Sequence, residues 1–279
     1  MANILISYGD YRFKKSLASI RKEAKRVGIF NKIKLYSPKD LPSYIKASPL
    51  FAFRKGGGYW LWKPYVIRET LRHCNINDVV YYVDAGCRLN PASKEWVKFQ
   101  QEIKSYNAIF FQYKSDVIYD GWEKYCQNLL NNSPKILHWM KPYTAKYFVD
   151  YFGSDEFLEY NKIMGGIIII KKTPQLLQVM DQWFKISLFH PELIIDPLGK
   201  ELAKIPSSFN VHRHDQAILT PLVYKFKQQD NILVLPETAE SEKNTAAIIA
   251  ERRVEKDIWT NFLSQRIKHI LKFYLKDHS

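Results

Sequence analysis

The run at residues 79–83 (VVYYV), closed by Asp84, constrains the fold more than any other stretch of this chain. Five β-branched and aromatic residues in a row, with no polar alternation, read as a strand at the centre of a sheet. A strand of that kind needs helices over both sheet faces, which is the α/β arrangement. The opening of the chain points the same way. Residues 4–7 (ILIS) form a short apolar run that ends in Tyr8-Gly9-Asp10. Residues 13–27 place Leu17, Ile20, Ala24 and Val27 at helical spacing, and residues 32–36 read as a second strand. Strand, helix and strand in succession predict a parallel sheet. Ligands gather at the C-terminal ends of strands in such sheets, and Asp84 stands at one of those ends.

The same reading continues along the chain. Residues 64–73 predict a helix with Pro64 in its first turn, where the missing N–H costs nothing. Residues 108–113 (AIFFQY) predict a strand. Residues 119–151 read as helix and loop, interrupted by Pro134 and Pro142. A strand at 163–172 opens on Gly165 and Gly166, and a helix at 175–184 follows it. Residues 189–209, broken by Pro191, Pro197 and Pro206, read as irregular. A helix at 215–224, a strand at 232–235 and a polar loop at 237–245 complete the pattern. No internal repeat appears. The division expected is one α/β domain over residues 1–250 and a separate basic helix over 251–279.

Composition narrows the partners. The 279 residues are 46% hydrophobic and 15% aromatic, enough for a packed core with rings to spare for a ligand cleft. The formal net charge of +14 calls for an anionic substrate, an anionic membrane face or nucleic acid. The charge is spread along the chain and no nucleic-acid motif accompanies it, so nucleic acid is the weakest of the three. The three cysteines, Cys74, Cys87 and Cys126, form no Cys-x-x-Cys pair, which argues against zinc and fits a reducing cytoplasm. The N-terminus carries no signal-peptide pattern, and no apolar run approaches the roughly 18 residues of a spanning helix.

Four constellations can carry chemistry. Asp84-Ala85-Gly86 puts a carboxylate past a buried strand, with small residues that let a ligand approach the backbone. Residues 55–64 (KGGGYWLWKP) join three glycines to Tyr59, Trp60 and Trp62, with Arg54, Lys55 and Lys63 as nearby cations. Its rings suit a base or a sugar and its lysines suit phosphate, although the spacing is not that of a phosphate-cradling loop. Gly165 and Gly166 mark a strand that something approaches closely. His212-Arg213-His214-Asp215-Gln216, at a helix start, is the densest polar cluster in the chain. It could bind a metal, act as a base or steady a diphosphate.

The order of these segments resembles that of bacterial GT-A glycosyltransferases of capsule, lipopolysaccharide and O-antigen synthesis. The resemblance covers about residues 1–235. It implies a GT-A-like, Rossmann-type sandwich with a mainly parallel central sheet, followed by the C-terminal amphipathic helix. It also implies transfer of a sugar from a nucleotide sugar, with UDP as the expected nucleotide, to a saccharide or lipid-linked saccharide. Tyr8, Tyr59, Trp60, Trp62, Lys63, Asp84, Gly86 and Arg88 would then lie on the donor side. Gly165, Gly166 and Gln216 would lie on the acceptor side. Asp215 is the first choice as general base, with Asp84 beside it and Asp116 and Asp120 behind. Where the family carries Asp-x-Asp, this chain has Asp84-Ala85-Gly86. A Mn²⁺ or Mg²⁺ site would therefore have to recruit His212 or His214 beside Asp84. The alternative is metal-free neutralisation of the diphosphate by Lys63, Arg54 or Arg88.

Residues 258–275 set Ile258, Trp259, Phe262, Leu263, Ile267, Ile270, Leu271 and Tyr274 on one helical face. From residue 252 to the end there are seven Lys or Arg against three Asp or Glu. That pattern suits a helix lying on anionic lipid, which would make a cytoplasmic protein peripheral to the inner membrane face. Two other classes compete with the transferase: a nucleotide-sugar binder without transferase activity, and a basic nucleic-acid-binding protein.

Overall fold

The computed structural model describes residues 1–122, 124 and 133–251. The expected C-terminal helix and Cys126 lie outside the described residues.

A six-stranded sheet in the order β2-β1-β3-β6-β5-β7 forms the frame. Its strands are β1 (Asn3–Tyr8), β2 (Lys32–Tyr36), β3 (Val79–Val83), β5 (Ala108–Gln112), β6 (Ile163–Lys171) and β7 (Ile232–Pro236). β1 pairs in parallel with β2 and β3, and β5 with β7. β6 alone runs the other way, antiparallel to β3 and β5. The sheet is thus mainly parallel, as the opening strand–helix–strand pattern predicts. The C-terminal ends of β1, β3, β5 and β7 meet the start of β6 along one edge. A second, two-stranded sheet pairs β4 (Cys87–Leu89) with β8 (Ile248–Ala250).

The helices are α1 (Lys14–Val27), the single turns α2 (Ser43–Lys46) and α3 (Gly56–Tyr59), α4 (Trp62–His73), α5 (Glu95–Ser105), α6 (Pro142–Phe152), α7 (Pro174–Phe189) and α8 (His214–Phe226). α4, α7 and α8 pack side by side, with α4 against β1 and β3 and α8 against β6. α1 packs against β1, β2 and β4, and α5 against β5 and β6. Every side chain of β3 is fully buried, as are Ile168, Ile169 and Ile170 of β6. An unbroken apolar run follows from that, since neither face of such a strand meets water. Removing each such isoleucine from water is worth about 1.5–3 kcal/mol, so the β3–β6 pair anchors the core. Among the described residues no helix is long and apolar enough to cross a membrane.

Candidate active site

Three charged side chains from three elements meet at the edge where β3 ends. Lys63, in the first turn of α4, is buried, and its Nζ lies 2.7 Å from Asp215 Oδ2 and 3.3 Å from Asp84 Oδ1. Asp215 stands in the first turn of α8, where the helix dipole favours a carboxylate. Asp84 follows β3 directly. Its backbone N–H donates to the Gly166 carbonyl at 2.8 Å, and its Oδ1 accepts the hydroxyl of Tyr82. The cluster holds one cation and two carboxylates and carries a net negative charge when all three are ionised.

The two carboxylates differ in access. The Asp215 side chain is 8% exposed and the Asp84 side chain 34%. Burial pushes the Asp215 pKa up, Lys63 pulls it down, and the negative charge of Asp84 adds to the rise, so the net shift is upward. Burial opposes the charge on Lys63. Asp215 first and Asp84 second outweigh it, so the lysine pKa lies above its ordinary value. Lysine gains from both neighbours while each acid is repelled by the other, so both directions belong to one arrangement. The expectation of Asp215 as the base meets a physical obstacle: it is the sequestered acid, and its Oδ2 is committed to Lys63. Asp84 is the more open of the two carboxylates.

Gly165 and Gly166 make this convergence possible. A Cβ on Gly165 would lie 2.9 Å from Asp215 Oδ2, and one on Gly166 would lie 3.0 Å from Asp84 Oδ2. The close approach expected at this pair is therefore made by the two carboxylates. Gln216 packs over Gly165, and its Oε1 is buried with no hydrogen-bond partner among the described residues. An orphaned buried amide oxygen is a place for a ligand donor.

The glycine-rich segment takes an unusual form. Gly56, Gly57, Gly58, Tyr59 and Trp60 have φ of 58°, 57°, 95°, 50° and 60°, so α3 is a left-handed turn. Glycine enters that region freely, whereas Tyr59 and Trp60 each cost roughly 1–2 kcal/mol there. The rings of this segment face inward. Trp62 stacks on Tyr8 with centroids 4.0 Å apart, and both are buried. The Trp62 Nε1–H donates to the Gly56 carbonyl at 2.9 Å. Trp60 stacks on His214, and the Tyr59 hydroxyl donates to Asp196 at 2.9 Å. The expected stacking platforms for a donor base are thus turned on each other and on the protein.

The polar cluster at 212–216 divides in the same way. His212 is fully buried; its Nδ1 accepts from the Lys141 N–H at 3.2 Å and its Nε2–H donates to the Leu193 carbonyl at 2.9 Å. No lone pair remains for a metal. His214 Nδ1–H donates to the Ile194 carbonyl at 2.8 Å, and its Nε2 faces Asp196 at 3.7 Å. Burial, with Lys55 next, lowers the His214 pKa to about 4, and burial, with His214 next, lowers that of His212 well below the ordinary imidazole value. Both rings are neutral fasteners of the 190–196 segment.

A divalent cation of the Asp-x-Asp kind does not fit these residues. The Lys63 ammonium already bridges Asp84 and Asp215, Gly86 supplies no second carboxylate, and His212 is spent. Among the described residues no group of three or more His, Cys, Asp and Glu could hold a metal ion. Gly86 lies in the turn closed by the Cys87 N–H to the Asp84 carbonyl. Arg88 pairs with Glu251 at 2.8 Å and stays half-exposed. Asp116 and Asp120 are exposed on the segment after β5, Asp120 at 3.6 Å from Lys243. Asp196 is the site neighbour that sequence reasoning missed. It sits in the irregular stretch at 189–209, and no motif marks it.

No protein-family model and no curated protein matches this sequence. Among solved structures, the chain is similar to a glycosyltransferase involved in the glycosylation of the major capsid of PBCV-1, at 9% identity and a TM-score of 0.47, over 96% of this chain and 100% of that one. It is also similar to the galactosyltransferase LgtC in complex with donor and acceptor sugar analogs, at 10% identity and a TM-score of 0.37, over 83% of this chain and 72% of that one. A third is core-mannan synthase A from Aspergillus fumigatus in its Mn/GDP form, at 12% identity and a TM-score of 0.40, over 84% and 72%.

Proposed function

We propose that this chain is a glycosyltransferase that moves a sugar from a nucleotide sugar, a UDP-sugar first among them, to a saccharide or lipid-linked saccharide of a bacterial surface polysaccharide. The observation that carries the reading is the Asp84–Lys63–Asp215 cluster at the C-terminal edge of a mainly parallel sheet, with Asp84 open and the other two buried. Sugar transfer needs a group to take the proton of the attacking hydroxyl. It also builds positive charge on the sugar ring as the bond to the leaving group breaks. A negatively biased cluster with one accessible carboxylate meets both needs. Asp84 accepts the acceptor's proton as its oxygen bonds to the anomeric carbon, and the nucleoside diphosphate departs with the electrons of the broken bond. Asp215 keeps Lys63 charged, Lys63 holds Asp84 in place at 3.3 Å, and the Gln216 amide meets a sugar hydroxyl.

Since Lys63 is committed to the two acids, the diphosphate falls to Arg54 and Arg88. The Arg88–Glu251 pair is partly exposed, and surface pairs of that kind are worth little and exchange readily. The charge of +14 and the basic segment after residue 251 support an anionic membrane surface near a lipid-linked acceptor. A thermal-shift screen across nucleoside diphosphates and nucleotide sugars, with and without Mn²⁺, tests the donor reading. A ligand bound only by the native state at 100 times its Kd adds about 2.7 kcal/mol. The expected result is a rise in melting temperature with one nucleotide series, equal in the presence and absence of Mn²⁺. No rise with any of them would defeat the reading.

A further inference from the structure

Among the described residues five non-glycine residues have positive φ: Tyr59, Trp60, Asn77, His214 and Asn231. Asparagine enters this region readily and histidine more readily than most, so Tyr59 and Trp60 are the costly cases and His214 is the third that is not asparagine. Those three lie together. The His214 ring is 5.2 Å from that of Tyr59 and 5.3 Å from that of Trp60. Strain concentrated at one place persists only where surrounding contacts hold it.

The Asp196 carboxylate is the contact common to this place. It accepts from Lys55 Nζ at 2.7 and 2.8 Å, accepts from the Tyr59 hydroxyl at 2.9 Å, and faces His214 Nε2 at 3.7 Å. The His214 Nδ1–H donates to the Ile194 carbonyl, two residues before Asp196. One short segment thus grips both strained turns. Each turn leads directly into one member of the buried ion pair: the Lys63 N–H donates to the Trp60 carbonyl at 2.9 Å, and Asp215 follows His214 in the chain.

We infer that Asp196 is a positioning residue, whose carboxylate fastens the left-handed turn at Gly56–Tyr59 to the 194–196 segment, where the Ile194 carbonyl in turn holds His214 at the head of α8, and so sets Lys63 between Asp84 and Asp215. Asp196 needs no contact with substrate for this; it acts through Lys63. Loss of its charge frees Tyr59 and Trp60 to relax to ordinary backbone angles, and the start of α4 moves with them. The catalytic consequence rests on the transferase reading above, whereas the structural consequence does not.

The test compares full-length wild type with Asp196→Asn, Tyr59→Phe and the double variant. Two readouts are taken: the kcat and KM of sugar transfer, and the ¹⁵N-detected ammonium signal of Lys63, assigned by its absence in Lys63→Met. Each single variant is expected to lower kcat about tenfold with the donor KM changed less than about threefold, and the double variant to lose little more, because the two share one hydrogen bond. The Lys63 signal is expected to shift or broaden in both singles. Tyr59→Phe removes one hydroxyl only, so it keeps the test open if Asp196→Asn does not fold. A folded variant with unchanged kcat and an unchanged Lys63 signal overturns the inference. Should wild type transfer no sugar, the transferase reading fails, and the Lys63 signal alone decides the role of Asp196.

Discussion

Lys63 is where the charge balance of the site is set. It is buried, which disfavours an ammonium, yet two carboxylates within 3.3 Å hold its pKa above the ordinary lysine value. A raised lysine pKa contributes stability that is fully present below the unfolded value near 10.4 and is lost as pH rises through the folded one. Replacing the lysine leaves two like charges facing each other, and such a pair raises the pKa of one acid. Lys63→Met is therefore expected to lower transfer about a hundredfold or more, and to move the acid limb of the remaining pH–rate profile upward from that of wild type. Parallel profiles with equal limbs would argue against the cluster as drawn. Lys63, Asp84 and Asp215 were legible in the sequence because each stands at an element boundary inside a dense motif. Their difference in exposure was not, since burial decides which carboxylate is open. The rings of Tyr8, Tyr59, Trp60 and Trp62 are ambiguous for the same reason: a ring that faces a ligand and one that faces another ring read alike in sequence.

At the scale of elements, α8 is held by buried neutral histidines. His212 and His214 fasten its start to carbonyls of the 190–196 segment, and both have pKa values below the ordinary imidazole range. A histidine with a lowered folded pKa makes the unfolded chain the better proton acceptor, so stability falls as pH drops below the unfolded value near 6.5. The fall runs at up to about 1.4 kcal/mol per pH unit for each histidine, and for His214 it ends near its folded value of about 4. Urea unfolding at steps from pH 7 to pH 5 is expected to show this loss, and His212→Gln to reduce its slope; an equal slope would assign the acid sensitivity elsewhere. The strands of the large sheet were legible because apolar runs bounded by turns mark them. β4 and β8, three residues each, carry too little pattern to read. α5 carries a readable signal in Trp96, Phe99 and Ile103, which sit at helical spacing and are buried.

The whole molecule joins a strongly basic chain to a locally acidic site. That contrast is informative, because a cleft built only for phosphate would be lined with unpaired cations. Here the acidic cluster sits at the β3 edge, and in the proposed reaction the leaving group falls to Arg54 and Arg88. Fold class followed from the order of runs, since helices over a parallel sheet leave few topologies open. The edge where the charged cluster sits followed from the same rule. Donor, acceptor and linkage did not, because they depend on loop shape, which short motifs do not encode. The most direct measurement of the central claim is release of nucleoside diphosphate from a nucleotide sugar, with a saccharide acceptor present and EDTA added, by wild type and by Asp84→Asn. The account predicts acceptor-dependent turnover by wild type that EDTA leaves intact, and a loss of about a hundredfold or more in Asp84→Asn. Turnover by Asp84→Asn within threefold of wild type would contradict it.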